Sequence, residues 1–153
     1  MESTQAETRP AQESDLPKVQ SLLRLLRLHE REEGFNTTVD PEWALSDDAA
    51  KRLQQCIASE DQVLLVAIVN SNIVGCLVGH VAHIDGVFVM EGFRRRGIGT
   101  RLCQEFLSWV ATKRAERVSV AVAVRNIEAI SIYEKLGFRQ RTLVLERTLE
   151  KER

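Results

Sequence analysis

Ile98, Leu102, Phe106 and Val110 recur every four residues, and Cys103, Leu107 and Trp109 widen the stripe, so the spacing predicts an amphipathic helix over 97–113. Just upstream, Ile84, Val87, Phe88 and Val89 form an apolar run that predicts a buried strand over 84–90. Residues 62–69 and 73–82 are rich in valine and isoleucine, and Asn70-Ser71-Asn72 between them predicts a hairpin whose turn residues tolerate left-handed geometry. After the helix, Val118, Val120, Val122 and Val124 alternate with Ser119, Ala121 and Ala123, the pattern of a strand with one large and one small apolar face. Strand, helix and strand together predict a right-handed β-α-β crossover.

The flanks are read the same way. A short strand is expected near Glu7 to Pro10, then a helix from Asp15 to Glu30 with Leu16, Val19, Leu22, Leu23 and Leu26 on one face, capped by Ser14 or Asp15. Ser46 is positioned to cap a second helix reaching Ala58, with Asp47 and Asp48 favouring its amino end. A last helix is expected from Asn126 to Leu136, where Ala129, Ile132, Tyr133 and Leu136 keep helical spacing and Gly137 suits a left-handed cap. Phe138 should begin a return strand and Thr142 to Leu149 a final one, with Lys151 to Arg153 frayed.

The 153 residues suit one core that buries roughly 70% of the unfolded chain's surface, so a single domain is expected. No apolar run approaches the about 20 residues that span a bilayer, and the opening Met-Glu-Ser-Thr-Gln-Ala-Glu lacks a signal-peptide core, which points to a cytoplasmic protein with no membrane partner. Cys56, Cys76 and Cys103 are odd in number and scattered, the mark of core residues rather than a disulfide framework or zinc site. His80 and His83, read within one strand, would point to opposite faces, so no metal is expected.

The net charge of −1 conceals an asymmetry. Residues 29–48 hold seven acids (Glu30, Glu32, Glu33, Asp40, Glu42, Asp47 and Asp48) against Arg31 alone, whereas residues 91–101 hold four arginines against Glu91. Such a distribution does not indicate nucleic acid binding; the acidic segment reads either as solvated surface or as an attractor of cations.

The basic stretch carries the chemistry. Arg94-Arg95-Arg96-Gly97-Ile98-Gly99 follows a predicted strand and opens a predicted helix, where amides without intrahelical partners and the helix dipole favour an anion. Glycine lets ligand atoms approach the backbone, and the forked guanidinium groups of Arg94, Arg95, Arg96 and Arg101 suit phosphate oxygens. A tight turn with a solvated arginine run would show the same pattern. The G-x-x-x-x-G-K-[ST] loop is absent, and Leu102 stands where a dinucleotide fingerprint wants a third small residue.

The loop Arg94-x-x-Gly97-x-Gly99, together with Asn126-x-x-Ala129-x-x-Ile132-Tyr133-Glu134-Lys135-Leu136-Gly137-Phe138, resembles the GNAT superfamily of acyl-CoA N-acyltransferases. The opening Arg9-Pro10-Ala11 and Asp15-Leu16-Pro17 are similar to the usual start of that family, and the resemblance covers about residues 8–149. It implies an α/β (α+β) fold, a mixed sheet of about six to seven strands flanked by about four helices, as one N-acetyltransferase domain over 1–153. It also implies acetyl-CoA as cosubstrate and an amine acceptor as partner. By position, Arg94, Arg95, Arg96, Gly97, Ile98, Gly99 and Thr100 would bind the pyrophosphate, Val87, Phe88 and Val89 would pair with the pantetheine arm, and Asn126 would lie near the coenzyme. The family's proline after the strand is replaced by Met90-Glu91-Gly92.

The same resemblance places Tyr133, the chain's one tyrosine, where the general acid stands, able to protonate the departing thiolate; as a bare residue it reads rather as core. Asp85 falls where many members carry an acid and is the candidate base, acting through water, against the alternative of a solvent-satisfied carboxylate; Glu91 is a weaker candidate. The expected reaction is direct transfer in a ternary complex, with a main-chain amide of Val87 to Val89 holding the oxyanion. In the family the connection between the first two helices borders the acceptor site, so the acid-rich 29–48 segment suits a cationic small molecule. A protein or peptide acceptor, a catalytically silent CoA-binding regulatory module, and a homodimer all remain open.

Overall fold

The structure, a computed structural model, describes residues 5–35 and 40–150; the frayed end expected at 151–153 lies outside them. Strands β1 (Glu7–Pro10), β2 (Gln62–Val69), β3 (Asn72–His80), β4 (His83–Val89) and β5 (Ser119–Val120) form one sheet in sequential order. The first four pair antiparallel and β5 joins β4 in parallel. Helices α1 (Leu16–Glu32) and α2 (Asp47–Ala58) precede β2, α3 (Ile98–Ala111) makes the β4-to-β5 crossover, and α4 (Ile127–Lys135) follows β5.

β2 shows why the apolar runs are nearly continuous. Leu65 and Ala67 face the α3 residues Ile98, Leu102, Phe106 and Val110, while Leu64 and Val66 face Val19 and Leu22 of α1 and Leu53 of α2. A strand covered on both faces needs apolar side chains at every position. Cys56, Cys76 and Cys103 are all buried with free thiols, and burial pushes them up to about 11, 12 and 12, which suits packing and not nucleophilic attack.

Several local expectations hold. The Ser46 hydroxyl accepts from the Ala49 amide at 3.1 Å and caps α2. Asn70 and Ser71 turn the β2-β3 hairpin with φ of 49° and 65°. Gly137, at φ 94°, ends α4 in a Schellman motif: the Phe138 amide donates to the Tyr133 carbonyl and the Gly137 amide to that of Glu134.

Asp15 behaves otherwise. Its side chain does not cap α1; its buried carboxylate accepts from Arg9 Nη1 at 2.7 Å, from Arg9 Nη2 at 3.1 Å and, closing the short 3₁₀ turn Glu13–Asp15, from the Gln12 amide at 2.8 Å. The Arg9 hydrogen bonds hold this carboxyl below the usual range, against the opposing effect of its burial. A lowered folded-state value stabilises the native state above the unfolded carboxyl's range and loses that effect as pH falls through the folded value. Asp15→Asn is therefore expected to cost about 1–3 kcal/mol at pH 7 in urea unfolding, with the gap to wild type closing below about pH 4.

The predicted strands after Val120 differ most. β5 pairs with β4 only through His83↔Ser119 and Ile84↔Val120, and residues 138–150 carry no strand. The sheet therefore has five strands rather than six or seven. Leu143, Val144, Leu145 and Leu149 are 69–85% exposed: alternation supplies a strand's side chains, but a strand also needs an edge to pair with, and β5 offers only two residues of one.

Gly79 marks the tightest contact between sheet and helix. A Cβ there would collide with the fully buried Phe106 ring and lie 3.1 Å from the His83 carbonyl. Gly79→Ala should lower stability by about 1–3 kcal/mol, read as a lower urea midpoint at unchanged m-value.

Candidate active site at the open edge of β4

The register of β4 contains one extra residue. Val78 pairs with Gly86 and Gly79 with Ile84, so Asp85 has no partner and forms a β-bulge. The consequence is visible in packing: Ile84 and Phe88, four apart, would share a face in a regular strand, yet Ile84 joins the α3 core and Phe88 the α1-α2 core. β5 leaves β4 at this same point, its last pair being Ile84↔Val120.

Beyond the bulge, β4 has a partner on one side only. The Met90 amide donates to the Val74 carbonyl at 2.8 Å, so in an antiparallel ladder Phe88 also points its main chain at β3 while Val87 and Val89 point theirs outward. The Val89 carbonyl does face away from β3, since it accepts from Arg94 Nε at 2.8 Å. Val87 and Val89 are half-buried and Phe88 is buried, so this edge offers polar main chain within an apolar frame.

The edge runs into the loop before α3. Arg95 and Gly97 both take left-handed geometry, at φ 62° and 75°, and the first helical bond is Arg101 N–H to the Gly97 carbonyl at 3.0 Å. No side chain caps α3, which leaves the amides of Ile98, Gly99 and Thr100 directed out of the helix end. A Cβ at Gly97 would meet nothing within 4 Å, and at Gly99 it would meet only Val89 Cγ2 at 3.8 Å, so the space before these amides is open.

The arginines divide by role. Arg94 braces the end of β4 through Val89 and lies 5.4 Å over the Phe88 ring, and Arg96 lies 5.4 Å over Phe93. Arg95 is exposed. Arg101 turns away from the loop and donates to the Ala6 carbonyl, tying α3 to the strand at the start of the chain. Its periodic position inside the helix gave no sign of this.

Tyr133 projects from α4 onto the margin of the α3 core, with Phe138 edge-on at a ring separation of 5.5 Å. Burial, reinforced by the nearby Cys103, raises the phenol well above its ordinary value, so it stays protonated at neutral pH. Asn126 caps α4, its Oδ1 accepting from the Ala129 amide at 3.2 Å, which leaves the side-chain NH2 for another partner. Glu91 sits in an exposed 3₁₀ turn with no hydrogen-bonding partner for its carboxylate among the described residues.

One expectation about this region is corrected. His80 and His83 do not lie three apart on one strand; a two-residue turn with Ala82 at φ 75° separates β3 from β4 and makes them a cross-strand pair on one face, rings 5.4 Å apart. Asp85 Oδ2 is 2.9 Å from His80 Nδ1, and Asp85 Oδ1 is 4.0 Å from His83 Nε2. Among the described residues no group of three or more His, Cys, Asp or Glu is arranged to hold a metal ion.

The model of the family described as Acetyltransferase (GNAT) family matches residues 20–138, well over half of the chain. The chain belongs to the GNAT acetyltransferase family. This GNAT chain is 44% identical over 59 residues to an N-alpha-acetyltransferase of Sulfolobus acidocaldarius, a match that covers 38% of the chain and 35% of the relative. The chain thus spans about a third of the length of the first curated relatives it matches. In fold it is similar to the aminoglycoside acetyltransferase AAC(6')-Iy in complex with a CoA-containing bisubstrate analog, at TM-score 0.74 and 15% identity over 95% of this chain and 99% of that one. A transcriptional regulator of Bacillus halodurans C-125 matches at TM-score 0.77 and 20% identity, over 95% and 100% of the two chains. Among the described residues, no helix is long and apolar enough to cross a membrane.

The acidic segment is partly neutralised by the fold. Arg24 pairs with Glu42 at 2.7 Å, Arg27 and Arg52 lie over the Trp43 ring at 4.9 and 5.2 Å, and Asp40 accepts from the Glu42 amide. Burial raises the Glu30 carboxyl despite nearby Arg27 and His29. Glu32 and Glu33 remain exposed at the end of α1, close to where Gly34 comes within van der Waals reach of Arg125 from the loop after β5.

Proposed function

We propose that this protein transfers an acetyl group from acetyl-CoA to a primary amine, directly and within a ternary complex. The observation that carries the reading is the continuity of the outward main chain of Val87 and Val89 with the uncapped α3 N-terminus. A pantetheine arm needs hydrogen-bond partners when its amides leave water, and a diphosphate needs donors and positive potential; the two features meet end to end. That the structural neighbour AAC(6')-Iy holds a CoA-containing ligand supports the same placement.

In this reading the amides from Gly97 to Thr100, with Arg95 and Arg96, hold the diphosphate, and Asn126 lies near the coenzyme. The thioester reaches the bulge, where an outward amide of the Val87 to Val89 edge faces the developing oxyanion. The acceptor amine must arrive as a free base, and Asp85 provides the carboxylate that draws its proton away. Tyr133, protonated by burial, delivers a proton to the departing sulfur. The test is CoA release from acetyl-CoA with a panel of amines, paired with calorimetric titration of acetyl-CoA. Heat of binding without turnover would leave a CoA-binding module, and neither heat nor turnover would remove the reading.

The acceptor is assigned as a cationic small molecule, for which the exposed Glu32 and Glu33 at the end of α1 and the acetylneamine-containing ligand of the neighbour are the support. A peptide α-amine is the competing acceptor, favoured by the N-alpha-acetyltransferase relatives. A cationic acceptor drawn by this patch should show a KM that rises severalfold between about 0.05 and 0.5 M salt, as the screening length shortens below 10 Å. A flat response, with turnover of peptides, would assign the peptide instead.

A further inference from the structure

We propose that His80, held by Asp85, is the group that takes the proton from the acceptor amine; this rests on the acetyl-transfer reading above and moves Asp85 from base to positioning residue.

The geometry is specific. A carboxylate only accepts hydrogen bonds, so the 2.9 Å contact between Asp85 Oδ2 and His80 Nδ1 places the ring proton on Nδ1. Neutral His80 then presents a bare Nε2 lone pair, which is the form a general base needs. Asp85 is the bulge residue at the point where β5 parts from β4, and the outward edge of Val87 begins two residues on, about 7 Å along the strand. The pair therefore stands beside the place where the thioester must lie. His80 is also about half exposed, which gives the proton an exit to solvent.

The surroundings favour His80 over its neighbours. His83 has the opposite arrangement: its Nδ1 is 2.8 Å from Ser119 Oγ, which ties it to β5, and its Nε2 is 4.0 Å from Asp85, beyond hydrogen-bonding distance. Asp61, from the segment before β2, lines the same surface hollow as His80. From α2 the buried Cys56, a neutral thiol, feels the Asp85 charge. An imidazole nitrogen is a stronger base than a carboxylate oxygen, so the ring is the better-suited proton acceptor. Asp85 thus acts as a positioning residue.

The step balances. The ammonium gives one proton to His80 Nε2, which passes it to solvent. The free amine's lone pair forms the N–C bond, the C–S bond breaks with its electron pair on sulfur, and the Tyr133 phenol protonates that sulfur. The second proton released from nitrogen as the amide forms restores the phenol.

The experiment is the pH profile of kcat/KM for wild type, His80→Gln and Asp85→Asn with one accepted amine, alongside acetyl-CoA affinity by calorimetry. Wild type is expected to rise with an apparent pKa in the imidazole range, below the separate rise of the amine itself. His80→Gln should fall about 100-fold at pH 7, lose that limb, keep its acetyl-CoA affinity and recover partly with added imidazole. Asp85→Asn should keep the limb but lower its plateau severalfold, since an amide can donate as well as accept and no longer fixes the ring proton on Nδ1. If His80→Gln keeps the limb and a rate within about twofold of wild type, the assignment is overturned and Asp85 acts through water alone. If wild type binds acetyl-CoA yet releases no CoA with any amine, the transferase reading itself fails and takes this one with it.

Discussion

Replacing Tyr133 by phenylalanine is expected to lower kcat by about 100-fold or more while leaving acetyl-CoA affinity unchanged. The substitution removes one oxygen and keeps the ring, so the edge-on contact with Phe138 and the packing at the margin of the α3 core persist. The phenol is raised by burial, with Cys103 adding to the effect, so it stays protonated through neutral pH and the acid form is the form present. The loss should accordingly be the same from pH 6 to 8. Steady-state kinetics and calorimetry on the same preparation decide it: unchanged kcat would make Tyr133 a core residue and move protonation of the thiolate to water.

Gly97→Ala is expected to raise the acetyl-CoA dissociation constant at least tenfold, about 1.4 kcal/mol, at a smaller cost in stability. Gly97 holds φ 75°, which an L side chain resists by about 1–2 kcal/mol, and its neighbourhood is empty of protein atoms, so the variant can fold but must either distort the turn or keep it under strain. Either outcome disturbs the amides of Ile98, Gly99 and Thr100 or the approach to them. Gly92→Ala, five residues earlier, also has open space around its Cβ and no left-handed requirement, and it should change neither property. Equal affinity for wild type and Gly97→Ala would place the diphosphate elsewhere.

Some parts of the fold and site were legible because they are local. Ser46, Gly137 and Asn70-Ser71 each satisfy or reverse the backbone within a few residues, so their residue types announce them. The stripe on α3 required only the helical period and one apolar layer to face. The same locality exposed the Arg94 to Gly99 loop, since a strand, glycines and a helix start in that order are a backbone statement.

Other parts depend on partners far along the chain. Asp85 becomes a bulge only through the register of β3 against β4, and His80 and His83 become neighbours only because the chain reverses between them. Asp15 was readable as a cap, yet Arg9 captures it, because a two-pronged charge-assisted pair at a buried carboxylate outcompetes a cap that water can replace. Arg101 reaches the Ala6 carbonyl ninety-five residues away, and nothing periodic foretells that.

By itself the amino-acid order determined where backbone turns, helices and buried faces arise, and through them the Arg94 to Gly99 loop, because those features follow from φ/ψ preference and a repeat of two or 3.6 residues. Only the tertiary structure decided which strand edge stays open, which carboxylate meets which imidazole, and that 138–150 finds no edge to join. Pairing between distant segments is selected by competition for hydrogen bonds and apolar contact across the whole molecule, and no window of sequence contains that competition.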